Sequence, residues 1–527
     1  GSIEQDATIV YSGYYGIKDV FAKYPMMNAQ QLKEMRDITG YNWSEMETED
    51  YARGVDTDWQ DLYYDKGMAT SHDLTVTGGT KTSAYSFGFG YYYEEAVTPL
   101  LDYTRFSLRS AVDQKIGKYI KVGYTSNNIY SINNGNSLGL YNVLAASPLV
   151  SPKDADGNAR RTVTMNSADE YWTYTRESLE ALGEDFEDKK QSFGTFNSLY
   201  AELSIPHVQG LKYRVNTGLN LKYVQDGYYR GVGVMNDKDP NSLAIGSLGK
   251  SLNLNWAVEN LLTYDRTFGA HTINAVGLLS FERSQYHRNY VEGTGIASKK
   301  FLYYNLNLLD EANEASTVTV DPNRQNYNES GLKSAMARLM YSYDDRYMLT
   351  VAVRNDKSSR LAKSNNSHTY PAVSVGWNIG RESFMEDFSW LNSLKLRVGY
   401  GQTSNQAVAP YQTLGALASR PYNFGDDVYS TGYYVSQLAN NDLGWEYSET
   451  MNYGVDFAFL DRISGSFEYY VQKTNDVLLS VSLPPTSGVN SYMANIGKTQ
   501  NKGWEFNINA NILNDYNGFT WDVGLNM

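Results

Sequence analysis

The chain has 527 residues, 20% of them charged, with no cysteine and with 45 Lys and Arg against 59 Asp and Glu, a formal charge of −14. Lack of cysteine excludes a disulfide scaffold, a Cys-ligated zinc and a cysteine nucleophile, and an acidic chain without Lys/Arg clusters is not built for nucleic acid. Forty-six tyrosines and 44 glycines at a mean hydropathy of −0.49 point to many strands carrying amphipathic rings.

No window approaches the 18 or so apolar residues of a membrane helix. A transmembrane β-barrel is not excluded by this, because it alternates lipid-facing and lumen-facing residues and averages to a polar score. In chain order, a first strand is expected near 7–16. Within the stretch that follows, Leu32, Met35 and Ile38 have helical spacing and predict a short helix over 29–38, packed on its neighbours. The acidic runs 45–50 and 184–188 read as solvated surface. Residues 78–82 imitate a phosphate loop, but Thr80 breaks the Gly-Lys-Thr order and a strand follows where a helix should, so a hairpin turn is expected. Tyr85, Phe87, Phe89, Tyr91 and Tyr93 then alternate with Ser86, Gly88 and Gly90.

Residues 154–158 (D-A-D-G-N) offer oxygen side chains at alternate positions, yet the glycine comes one place early for a calcium loop, which leaves an Asp-Gly turn. The five histidines lie far apart without metal-ligand spacing. Residues 211–223 (L-K-Y-R-V-N-T-G-L-N-L-K-Y) keep period 2 without a break, longer than an ordinary globular strand and long enough to cross a bilayer at a tilt. Met451 to Phe459 and Trp504 to Ile512 repeat the pattern. Aromatic residues in the long loops, Trp172, Tyr174, Tyr433 and Tyr434, are candidate substrate-stacking residues, with packing inside the loops as the competing role. No catalytic residues, metal site or cofactor is expected.

Short connections (78–82, 113–118, 206–210, 265–270, 344–346, 460–463, 514–518) alternate with long ones (16–70, 131–192, 226–249, 287–330, 356–369, 404–446, 475–499), with exceptions at 94–102 and 380–393. Short turns at one rim and long loops at the other are the layout of an outer-membrane barrel. The rule yields an all-β fold, a transmembrane antiparallel β-barrel with about 17 strands ending near 520–527. An odd count is read as a portion of one barrel domain spanning 1–527.

Particular stretches then match a family. Residues 441–446 (N-D-L-G-W-E), 452–457 (N-Y-G-V-D-F), 465–470 (G-S-F-E-Y-Y), 473–476 (K-T-N-D), 495–497 (N-I-G) and 501–505 (N-K-G-W-E) resemble the late barrel of SusC-like TonB-dependent transporters of Bacteroidetes. Upstream, 394–406, 371–377 (P-A-V-S-V-G-W), 354–360 (R-N-D-K-S-S-R), 58–61 (D-W-Q-D) and 26–29 (M-M-N-A) are similar to the same family in the same order.

The resemblance implies a 22-stranded plugged barrel, with the plug and N-terminal extension upstream of this sequence and the last strands downstream. It implies import of oligosaccharides, or in some members peptides, under a SusD-like surface lipoprotein lid and driven by TonB through the plug, with pairs of this kind dimerising. A passive porin shares the strand pattern. A soluble carbohydrate-binding protein or glycosidase is disfavoured by the unbroken thirteen-residue alternation.

Overall fold

One apolar and one polar side chain per two residues gives each long strand two unlike faces. The register of the sheet then decides whether those faces line up. The computed structural model describes residues 4–135, 139–166, 169–425 and 429–527. Its main sheet has 20 strands; three short ones (Thr317–Thr319, Ala416–Asn423, Tyr429–Gln437) belong to loops, and the other 17 form one antiparallel up-and-down series from Gln5–Lys18 to Phe519–Asn526. The strand count expected from sequence is therefore met. Among the described residues the first and last strands each pair on one side only.

Register turns the alternation into continuous bands. Tyr264, Ala275, Leu339, Val351 and Val373 stand in line across five strands. On the opposite face Asn127, Phe196, Asn220, Asn255, Ser284 and Ser330 stand in line across six. The apolar face is left uncovered, with Leu279 at 55% exposed, as a surface whose solvent is lipid rather than water. Near one end it finishes in an aromatic row, His271, Tyr343, Tyr347 and Trp377, the girdle that amphipathic rings form at a membrane boundary. No helix among the described residues is long and apolar enough to cross a membrane, which says nothing of strands.

The two loop classes separate by rim, apart from the short 96–101 at the long-loop rim and the long 379–390 at the other. Connections 80–82, 117–119, 205–210, 269–270, 344–346, 460–462 and 517–518 lie at the girdled end, and 19–66, 135–185, 231–244, 295–325 and 406–445 at the other. Strands run further into the loop regions than periodicity indicated: 226–249 contracts to 231–244 and 475–499 to 483–490. The long exception at the short-turn rim, 379–390, folds into two 3-10 turns. Glu382 ties it to the girdle by accepting from Trp377 Nε1 at 2.9 Å and from the Tyr347 hydroxyl at 2.6 Å.

Buried hydrophobic residues do not fill the sheet; they gather at the long-loop rim in three clusters. The largest joins Trp59, Tyr63, Val143, Val150, Val163, Met165 and Leu179 from two loops. The expected helix is present as Ala29–Thr39, opened by an Asn28 capping box. Four further short helices, Glu45–Ala52, Trp59–Tyr63, Tyr141–Ala145 and Arg176–Glu180, and a hairpin of Thr162–Met165 with Asp169–Trp172 complete this cap.

Candidate functional site

The acidic run 45–50 is solvated surface only in part: Glu45 and Glu49 are exposed, whereas Glu47 and Asp50 are buried. Ser44 caps Glu45–Ala52, and Glu47, fully buried, accepts in return from the Ser44 amide. Its carboxylate also accepts from Arg36 Nη1 at 2.8 Å and from the Asn166 amide at 3.2 Å. A buried carboxylate survives only when paired and hydrogen-bonded in this way. Asp50 plays the same part between loops, accepting from Arg160 Nη1 at 2.5 Å, the Ser151 amide at 2.8 Å and Arg53. Burial pushes its carboxyl up, but Arg160, the Ser151 amide and Arg53 outweigh burial and hold it below the ordinary carboxylate range.

The four sequence candidates fall in two separate places. Trp172 is 8% exposed; its amide donates to Asp237 Oδ1 at 2.8 Å and the Arg161 guanidinium stands over its ring at 5.6 Å. Tyr174 is half-buried against the large cap cluster, and burial raises its phenol above the usual value. Tyr433 and Tyr434 project from the loop hairpin Ala416–Asn423 with Tyr429–Gln437, 74% and 45% exposed. Residues 154–158 form a turn closed on itself, with the Asp156 and Asn158 amides donating to Asp154 Oδ1 at 2.9 and 2.8 Å. Among the described residues no group of three or more His or acidic side chains could hold a metal.

The inward face is a wall of matched charges. Arg397 reaches Asp456 at 3.0 Å and Glu468 at 2.5 Å, Arg354 reaches Asp356 at 2.9 Å, and Arg109 reaches Asp73 at 2.7 Å. One niche of about 290 Å³ departs from that pattern. Phe196, half exposed, is an apolar ring on the polar face, beside Asn220 and Asn255 in register and Glu282 in the niche wall. Arg360 closes the upper side, donating to Ser330 Oγ and to the Val408 carbonyl, each at 3.2 Å, and Gln406 Oε1 is a buried acceptor that has no partner among the described residues.

A ring with amide and carboxylate groups around it offers a stacking face plus donors and acceptors. A larger cavity, about 970 Å³, lies instead inside the cap among Met26, Met27, Met35 and Met165. It is bigger but sits off the inward wall, so the niche is the better candidate for a solute crossing the barrel. Sequence reading missed Phe196. The signal was present, because Phe193 and Leu199 share one phase of that strand and Phe196 has the other.

Residues 181–526 match the model of the TonB dependent receptor-like β-barrel. The chain belongs to the TonB-dependent receptor family. TonB-dependent receptor P3 of Formosa agariphila is 30% identical over 91% of this chain and 47% of its own length. TonB-dependent receptor SusC of Bacteroides thetaiotaomicron is 27% identical over all of this chain and 52% of its own. Among solved structures, the RagAB peptide transporter matches with a TM-score of 0.81 at 20% identity, covering 98% of this chain and 60% of that one. The chain spans about half the length of the curated relatives it matches. It is a SusC-like receptor barrel of the outer membrane, and its relatives are receptors and transporters rather than enzymes. The long-loop rim is then the extracellular one.

Proposed function

We propose that this barrel imports neutral oligosaccharides across the outer membrane, with TonB supplying energy through a plug, a SusD-like lipoprotein covering the long-loop rim, and such pairs dimerising. The observation that carries the choice of glycan is the niche around Phe196: a half-exposed apolar ring on the inward wall, flanked by Asn220, Asn255, Glu282 and Gln406. A sugar presents an apolar ring face and a rim of hydroxyls, and that arrangement answers both. No bond is made or broken; the niche holds and releases.

Peptide import is the second reading. Arg360 and Glu282 line one niche and would suit the two charged ends of a peptide, and a transporter of similar fold is named for peptides. The deciding experiment is calorimetric binding of a panel of neutral oligosaccharides and a panel of short peptides to the full-length transporter with its lipoprotein. Glycan import predicts oligosaccharide binding that weakens about 5- to 150-fold in Phe196→Ala, the value of one lost stacking anchor of about 1–3 kcal/mol. Binding confined to peptides overturns it. Uptake that persists after the proton-motive force is collapsed would mark a passive porin.

A further inference from the structure

Lys333 and Lys357 face each other directly across neighbouring strands on the outward face, in the same line as Val258 and Phe281. Like charges so placed repel. Among the described residues neither ammonium forms an ion pair: Glu329, which shares their cavity of about 670 Å³ with Trp256 and Phe281, is held by Arg283 at 2.6 Å. The Lys333 ammonium stands 6.0 Å from the Phe281 ring centroid instead. Both side chains are exposed.

Their height is set by the strand. Lys357 lies ten residues beyond Tyr347 of the girdle, which is roughly 34 Å along the strand and about 26 Å in height at a tilt of about 40°. The apolar band of such a barrel is about 25 Å tall. The lysine pair thus stands at the upper edge of the hydrocarbon, on the extracellular side.

Directly below, on the same face, the surface is hollow. Ala335 and Ala337 follow Lys333 at two and four residues and, with Gly277, floor a groove of about 520 Å³ between Tyr213, Leu262, Leu279 and Val353. A Cβ built on Gly277 meets nothing within 4 Å. Asn260 and Asn355 stand in line with Leu279 and Ala335, between the groove and the lysines. From top to bottom the face therefore offers two cations, two amides and an apolar trough.

We propose that this face binds a phosphorylated lipid of the outer leaflet, its phosphate bridging Lys333 and Lys357 and one acyl chain lying in the trough over Gly277, Ala335 and Ala337. A bound phosphate relieves the opposition of the two lysines, and a chain fills a trough that lipid at large would leave loosely packed. The trough continuous with the cations selects a lipid over a free anion.

The test uses the full-length protein purified from outer membranes, delipidated in detergent and titrated by native mass spectrometry. The probes are lipid A, dephosphorylated lipid A and inorganic phosphate. Lipid A is expected to bind at least 10-fold tighter than its dephosphorylated form. The Lys333→Gln/Lys357→Gln double variant is expected to lose about 30-fold, near 1 kcal/mol per lysine. Gly277→Leu, which fills open space without touching the lysines, should weaken lipid A alone. Equal binding of the dephosphorylated lipid, unchanged binding by the double variant, or inorganic phosphate binding as tightly as lipid A would each overturn the proposal.

Discussion

Val351 provides a quantitative test of which face meets lipid. It stands four residues from Tyr347, roughly 14 Å along the strand and about 10 Å above the girdle at a tilt of about 40°. That is within a few Å of the middle of a band about 25 Å tall. Its neighbours in line, Leu339 and Val373, are apolar and uncovered, so an arginine there has no carboxylate to meet. Val351→Arg should cost about 2–4 kcal/mol, the depth-dependent penalty for a cation at the midplane. Asn355→Arg on the same face sits roughly 21 Å up, near the boundary, and should cost no more than about 1 kcal/mol. Thr350→Arg points to the other face, among lumen polar groups, and should cost less than Val351→Arg. The assay is thermal unfolding of the full-length protein in detergent, read as loss of the heat-modifiable folded band, alongside its abundance in the outer membrane. Equal losses for Val351→Arg and Thr350→Arg would refute the assignment of faces.

Other predictions concern the cap and the outward wall. Glu47→Ala strands a buried Arg36 and should destabilise the cap by about 3–5 kcal/mol, seen as faster hydrogen exchange in 19–66 and 135–185 with the strands unchanged. Asp50 has a lowered carboxyl, so its contribution is complete above its unfolded value of 3.8 and is lost as pH falls through the folded one. Pepsin should therefore cut the cap loops increasingly as pH drops below 3.8, and Asp50→Asn should flatten that dependence. Asn128, on the outward face, accepts from Thr195 Oγ1 at 2.6 Å and donates to Ser126 Oγ at 2.9 Å. Asn128→Leu leaves both hydroxyls to lipid, and a drop in melting temperature is expected rather than the gain an added apolar group would otherwise give.

The barrel was legible because its information is local: a period of two over 211–223 and turns such as 78–82 can be read without knowing what lies across the sheet. The cap was not, because its core is built from distant segments. Trp59 Nε1 donates to the Ser147 carbonyl, 88 residues away, and Arg36 to Asn166, 130 away. One clue was available even so, since Ser44 to Glu47 is an S-x-x-E capping box inside what looked like a charge run. The loop aromatics show the same divide. Trp172 and Tyr433 look alike in sequence, and only the fold sets one in a packed cap and the other on an exposed hairpin. Phe196 sat in plain view as an aromatic out of phase, but its meaning depended on knowing which face turns inward.

The central claim, that solute passes along the inward wall at the Phe196 niche, can be tested by cysteine labelling, since these 527 residues supply no competing thiol. Asn220→Cys in the full-length transporter, expressed on intact cells, would be exposed to a membrane-impermeant thiol reagent with and without the oligosaccharide panel, with the unsubstituted protein as background. The account predicts labelling that a transported oligosaccharide suppresses. Labelling at Asn220→Cys that no oligosaccharide in the panel slows, in cells that are importing it, would contradict the account.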